Sequence, residues 1–155
     1  MITRVLIANR AEIAIRIARA SAELGIGSVA LYSADDATSL HVVKADRAEQ
    51  LPGRGASAYL DADAIIAAAL ATNCDAIHPG YGFLSENEGF ARRCAAAGLV
   101  FVGPSPDVLH LFGDKAEARA LAKQSGMPVA AGTAGATSLA EARTFFTSLG
   151  APAGP

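Results

Sequence analysis

Short runs of β-branched and aliphatic residues alternate with longer stretches of helical periodicity through most of the chain. This alternation constrains the fold more than any other feature. A strand that returns parallel to its predecessor needs a crossover, and a helix supplies it. The first strand spans Val5 to Asn9, and a helix follows to Leu24. Ile13, Ile17 and Leu24 fall near one face of that helix, with Glu12, Arg16, Arg19 and Glu23 on another, and Gly25 ends it. Ser28 to Ser33 reads as a second strand, Leu40 to Ala45 as a short helix, and Ala48 to Leu51 as a third strand before the loop Pro52 to Gly55. Leu60 to Ala71 has the pattern of a packed helix, and Ala76 to His78 that of a short strand. Pro79-Gly80-Tyr81-Gly82 turns the chain out. Ser85 and Glu88 then have capping-box spacing, which predicts a helix from about Glu86 to Gly98. Leu99 to Gly103 is the fifth strand, and Pro104 and Pro106 interrupt the pattern. Together these elements predict an α/β fold with a mostly parallel, five-stranded sheet.

The remainder reads differently. Asp114 with Glu117 predicts a helix stopped by Gly126 and Pro128, and Ser138 with Glu141 predicts one more, stopped by Gly150. No strong strand separates them. We therefore place a boundary near Phe112-Gly113, with a compact domain over 1–112 and an incomplete segment over 113–155. Ala151 to Pro155 has no periodicity and is expected to be an exposed tail or a cut point.

Composition sets limits on function. With 52% hydrophobic and 18% charged residues the chain can bury a core, which excludes a disordered protein. Alanine supplies 36 of the 155 residues, so helices can approach a sheet closely. A net charge of −2 argues against non-specific binding to nucleic acid or an anionic membrane. No stretch approaches the roughly 18 apolar residues of a membrane span, and the N-terminal apolar run is too short for a signal peptide. Cys74 and Cys94 belong to no metal or disulfide pattern, and His41, His78 and His110 lack metal-ligand spacing. These features predict a soluble, cytoplasmic protein without a metal site of its own.

Three segments could carry chemistry. His78-Pro79-Gly80-Tyr81-Gly82-Phe83-Leu84-Ser85-Glu86-Asn87 lies between a parallel strand and a helix, where open α/β sheets place ligands. Its glycines allow close backbone approach, and free N–H groups at a helix start can hold an anion. A plain tight turn, with Ser85 as cap and Tyr81 packed, accounts for the same residue types. The turn Ala8-Asn9-Arg10-Ala11-Glu12 stands where a dinucleotide fold carries glycines, yet no glycine occurs between Met1 and Leu24. That argues against NAD or FAD, and leaves Asn9 and Arg10 as structural polar groups. In Gly113-Asp114-Lys115, the lysine just after a helix cap could meet a phosphate or simply be solvated. The stripe of Glu12, Arg16, Arg19 and Glu23 is either a solvated face or a self-complementary subunit contact, in which Arg19 of one copy meets Glu23 of another. Neither a serine-hydrolase elbow nor a P-loop is present.

Val5 through Ala14, Ala58-Tyr59-Leu60, His78 through Asn87, Phe101-Val102-Gly103-Pro104 and Gly113-Asp114-Lys115 resemble, in order and spacing, the N-terminal region of biotin carboxylase. The decapeptide is the most specific part, whereas the G-D-K element is shared with other ATP-grasp enzymes. Ala11 departs from the glycine usual in the family. The resemblance implies a Rossmann-like, three-layer pre-ATP-grasp domain followed by the first helices of an incomplete ATP-grasp domain. It implies a parent enzyme that uses ATP with Mg2+ or Mn2+ to activate bicarbonate as carboxyphosphate, and then carboxylates biotin on a carrier domain. Lys115 would contact ATP, Tyr81 and Gly82 would line the biotin and bicarbonate side, and His78 and Glu86 would support that loop. Arg16, Arg19 and Glu23 would lie on a dimer face. The remaining partners would be the rest of the biotin carboxylase chain, the carrier domain and a carboxyltransferase. The family's glycine-rich phosphate loop, metal-binding glutamates and catalytic base lie beyond Pro155, so no catalytic residue and no tightly bound cofactor is expected within these residues. The alternatives are a fragment of a carbamoyl-phosphate-type ATP-grasp ligase and a stand-alone flavodoxin-like binding module.

Overall fold

A computed structural model describes residues 1–133, 135 and 137–150. The expected tail, Ala151 to Pro155, lies outside the described residues. By internal contacts the chain divides into two compact units, Met1–Leu109 and His110–Pro155.

The first unit is built around a sheet of five strands: β1 (Arg4–Ile7), β2 (Gly27–Tyr32), β3 (Arg47–Gln50), β4 (Ala76–His78) and β5 (Val100–Phe101). Their spatial order is β3-β2-β1-β4-β5, and every pairing is parallel. Helices α1 (Ala11–Glu23), α2 (Leu40–Lys44), α3 (Ala62–Ala71) and α4 (Glu88–Ala96) make the crossovers, with a 3-10 helix at Ala56–Leu60. β1 is central, so its side chains are buried on both faces. Leu6 joins Val29, Leu31, Ile65, Ile77 and Phe90 in one core, while Ile7 packs with Ala14, Ile17 and Ala18 of α1 in the other. Two cores on opposite faces of one sheet make the three layers.

The sequence reading differs from the structure in four places. Asn87, not Ser85, caps α4: its side chain accepts from the Phe90 amide at 2.7 Å, while Ser85 lies in the preceding turn. Asparagine is at least as good a cap as serine, and an Asn cap at 87 starts the helix two residues later than expected. Leu24 is the C-cap of α1 and 74% exposed, because the buried stripe runs through Ala14, Ile17, Ala18 and Ser21 instead. A further helix, α5 (Pro106–Gly113), occupies the stretch expected to be broken by prolines. Pro106 stands at its first position, where the missing N–H costs nothing. Finally, residues 56–60 form the 3-10 helix, and Asp61 caps α3 by accepting from the Ala64 amide at 3.0 Å.

The second unit contains α6 (Lys115–Gln124) and α7 (Leu139–Ser148). Asp114 caps α6 by accepting from Ala116 and Glu117, and Ser138 with Glu141 forms the expected capping box of α7. Among the described residues, neither helix has a buried side chain.

Candidate functional site

In the order 3-2-1-4-5 the chain winds outward from β1 to β3, then returns to the other side of β1 with β4. The carboxyl ends of β1 and β4 therefore flank the switch point of the sheet, where open α/β folds have their crevice. The Asn9-Arg10 turn and the loop after β4 meet at this place. Asn9, 3% exposed, donates from Nδ2 to the carbonyls of Pro79 at 2.7 Å and Tyr81 at 2.8 Å, and its Oδ1 accepts from the Arg10 amide at 2.9 Å. One side chain thus satisfies three backbone groups of two loops. Gly80 lies directly over it, at φ +66°, and a Cβ there would come within 2.7 Å of Asn9 Nδ2. Both the backbone angle and the contact demand glycine.

The rest of the loop is equally constrained. Gly82 has φ +68° with open space beside it, and Phe83 has φ +43°, a left-handed conformation costing a non-glycine residue about 1 kcal/mol. Tyr81 is 60% exposed, and its hydroxyl donates to Glu12 Oε1 of α1 at 2.8 Å, which raises the phenol pKa. It is not a packed residue of an ordinary turn. Half-buried His78 accepts from the Gly80 amide at its Nδ1, 3.1 Å away, so the ring is neutral there; burial holds its pKa below the usual value. Glu86 is exposed on the turn before α4. The structure thus gathers His78, Tyr81 and Gly82 at the crevice, with Glu86 at the loop's far end. Arg16, Arg19 and Glu23 lie exposed along α1, which also carries Glu12.

Sequence reasoning missed a second layer behind the loop. Arg10 is paired with Asp36 at 3.2 Å and lies 5.8 Å over the ring of Tyr59. Asp36 also accepts from the Tyr59 hydroxyl at 3.0 Å and from Ser33 Oγ at 3.1 Å. Burial opposes ionisation of Asp36, but the Tyr59 and Arg10 contacts outweigh it and hold the carboxyl below its usual range. Burial first, then the bond to Asp36, pushes the Tyr59 phenol up to about 12. The matches at Val5 through Ala14 and at Ala58-Tyr59-Leu60 contain Arg10 and Tyr59 but do not join them, because the partners come from three separate loops.

Residues 1–109 match the family described as biotin carboxylase, N-terminal domain. The chain belongs to this family. The matched residues coincide with the unit Met1–Leu109 that holds the crevice. Mitochondrial pyruvate carboxylase of Homo sapiens is 52% identical over 155 residues, covering 97% of this chain and 13% of that protein. Among solved structures, the biotin carboxylase domain of a single-chain bacterial carboxylase has a TM-score of 0.90 at 59% identity, over 96% of this chain and 34% of that one. The biotin carboxylase domain dimer of Hydrogenobacter thermophilus 2-oxoglutarate carboxylase, solved with MgADP and bicarbonate, has a TM-score of 0.92 at 43% identity, over 98% and 34%. This biotin carboxylase N-terminal domain therefore spans about an eighth of the curated carboxylase and a third of each solved domain. Membership in the family favours the biotin carboxylase reading over the carbamoyl-phosphate-type ligase. No helix among the described residues is long and apolar enough to cross a membrane.

Lys115 belongs to the other unit. It opens α6 and, with Arg119, Gly132 and Thr133, lines a hollow of about 490 Å3. Arg119 donates there to the carbonyls of Ala130 and Gly132.

Proposed function

We propose that this chain is the opening part of the biotin carboxylase component of a biotin-dependent carboxylase, whose parent enzyme uses MgATP and bicarbonate to carboxylate biotin on a carrier domain. Residues 1–112 are its N-terminal, pre-ATP-grasp domain, and 113–155 open the ATP-grasp domain. The observation that carries this reading is the loop after β4, set in left-handed turns over Asn9 with Gly82 open beside it. Gly82 can admit a small planar ligand against its backbone, and Tyr81 borders it. His78 holds the loop's first turn, and Glu86 supports its far end. Neutral His78 donates no charge to the site, so the loop recognises its ligand by backbone and shape rather than by a fixed cation.

Lys115 would hold ATP. An ammonium and a hydroxyl around an open hollow suit a chain of phosphates. When bound, ATP supplies the phosphoryl group that activates bicarbonate. Among the described residues no group of three or more His, Cys, Asp or Glu gathers at one point, so the Mg2+ or Mn2+ that accompanies ATP is assigned no protein ligand here. The 155 residues alone are catalytically silent, because a lysine and one loop do not enclose a triphosphate or fix a base around a transition state.

Arg16, Arg19 and Glu23 form the dimer face, and Arg19→Glu would shift a concentration-dependent dimer toward monomer in sedimentation; an unchanged distribution would remove that assignment. The carrier domain and a carboxyltransferase complete the set of partners. We place the protein in the cytoplasm; the human relative is named as mitochondrial.

The test is steady-state ATP hydrolysis with and without bicarbonate and free biotin, on this chain and on one extended through the complete ATP-grasp domain. The extended chain should show bicarbonate-dependent turnover, impaired more by Lys115→Ala than by Arg19→Ala. Nucleotide binding without such turnover would refute the assignment, and robust turnover by the 155 residues would refute their inactivity.

A further inference from the structure

The loop after β4 is held at two ends by different means. Asn9 fixes residues 79–81 through their carbonyls, but it does not reach Phe83, which keeps its left-handed φ of +43° beyond those bonds. What lies against Phe83 is Tyr59. The two rings stack with centroids 5.1 Å apart and planes inclined by 19°. Tyr59 is fully buried and cannot drift, because its hydroxyl donates to Asp36 at 3.0 Å and accepts from the Ser33 amide at 3.3 Å, while Arg10 spans its ring and the same carboxylate. The 3-10 helix, the loop after β2 and the turn after β1 thus combine to fix one aromatic plane, and that plane meets the residue that follows Gly82.

We propose that Tyr59 is a positioning residue for the ligand of this loop: by stacking on Phe83 it sets the direction of the Gly82-Phe83 peptide against which biotin and bicarbonate are bound. The inference rests on the functional reading above. Asp36 and Arg10 act one step further back by orienting Tyr59. Removing the ring frees the Gly82-Phe83 peptide to rotate while leaving Asn9, Gly80 and the Lys115 hollow as they are. Binding of biotin and bicarbonate should therefore weaken while ATP binding does not.

The experiment uses the full-length carboxylase. Tyr59→Leu should raise the KM for free biotin and for bicarbonate about tenfold, leave the KM for ATP within about twofold, and speed amide exchange over 81–84 about tenfold without affecting β1. Tyr59→Phe keeps the stacked face but loses the bonds to Asp36 and Ser33, and should fall between the wild type and Tyr59→Leu. Phe83→Leu attacks the same contact from the half-buried side, and serves if Tyr59→Leu does not fold; where both fold, the double variant should be little worse than either single one. Unchanged KM values in Tyr59→Leu or Phe83→Leu, with an active wild type, would overturn the role of Tyr59 alone, as would biotin, bicarbonate and ATP shifting together. A wild type without bicarbonate-dependent turnover would overturn the functional reading and this inference with it.

Discussion

The loop after β4 and the segment around Lys115 both lead into a helix capped by a side chain, Asn87 in one case and Asp114 in the other. Beyond that they differ in how their geometry is determined. The loop is fixed by partners far away in sequence: Asn9 reaches Pro79 and Glu12 reaches Tyr81, across 70 and 69 residues. Around Lys115 the cap bonds run from Asp114 to amides two and three residues on, and the described side chains of α6 and α7 are not buried. One site exists because a sheet has folded; the other has the local order of a capped helix. A ten-residue helix with no fully buried side chain is marginal in water, so the half-buried face of α6 contributes little to its stability.

The largest test of this contrast compares two phenylalanines. Phe90 is 1% exposed and meets Phe101 edge-on at 6.0 Å, whereas Phe146 on α7 is 48% exposed. Phe90→Ala should cost about 4 kcal/mol in denaturant unfolding, and Phe146→Ala less than about 0.5 kcal/mol. Comparable losses would erase the distinction. Next is Asn9→Ala, which strands the carbonyls of Pro79 and Tyr81; a loss of about 2 kcal/mol is expected, and no change would mean that the loop holds itself.

Ala11 offers a smaller effect of opposite sign. It has φ +54° where the biotin carboxylase family usually has glycine, so Ala11→Gly should stabilise the protein by about 1 kcal/mol. A destabilised variant would show that the methyl group compensates the backbone angle. The smallest effect is the pH dependence through His78. Burial lowers its folded pKa below the ordinary 6.5, so below that value the unfolded chain binds more protons. Its contribution is full above pH 6.5 and is lost as pH falls through the folded pKa. His78→Gln should flatten that part of the stability profile, and an unchanged slope would assign it to other groups.

Why some of this was legible in sequence follows from the same contrast. Strands, crossovers and the capping box of Ser138 and Glu141 are local patterns, and a sequence displays them directly. The position of the loop after β4 was legible because a strand-loop-helix order in a parallel sheet puts that loop at the carboxyl edge of the strands. The Tyr59, Asp36 and Arg10 group was not legible as a unit: the three residues follow β1, β2 and β3, and only the winding of those strands brings them together. Ser85 misled because its spacing to Glu88 fits a capping box, while Asn87 competes for the same role two residues later. Pro106 misled because proline ends helices in their interior but opens them at the first turn.

The crevice loop belongs to a fold that holds itself together, whereas α6 and α7 lack buried side chains among the described residues. Amide hydrogen exchange on the 155-residue chain tests it directly. Leu6 to Ala8, Val29 to Leu31 and Ile77 should exchange only through global unfolding, with Gly80 to Phe83 close behind, while α6 and α7 should exchange near the rates of isolated helices. Equal protection of α6 or α7 and the β1 core, or rapid exchange across the loop after β4, would contradict it.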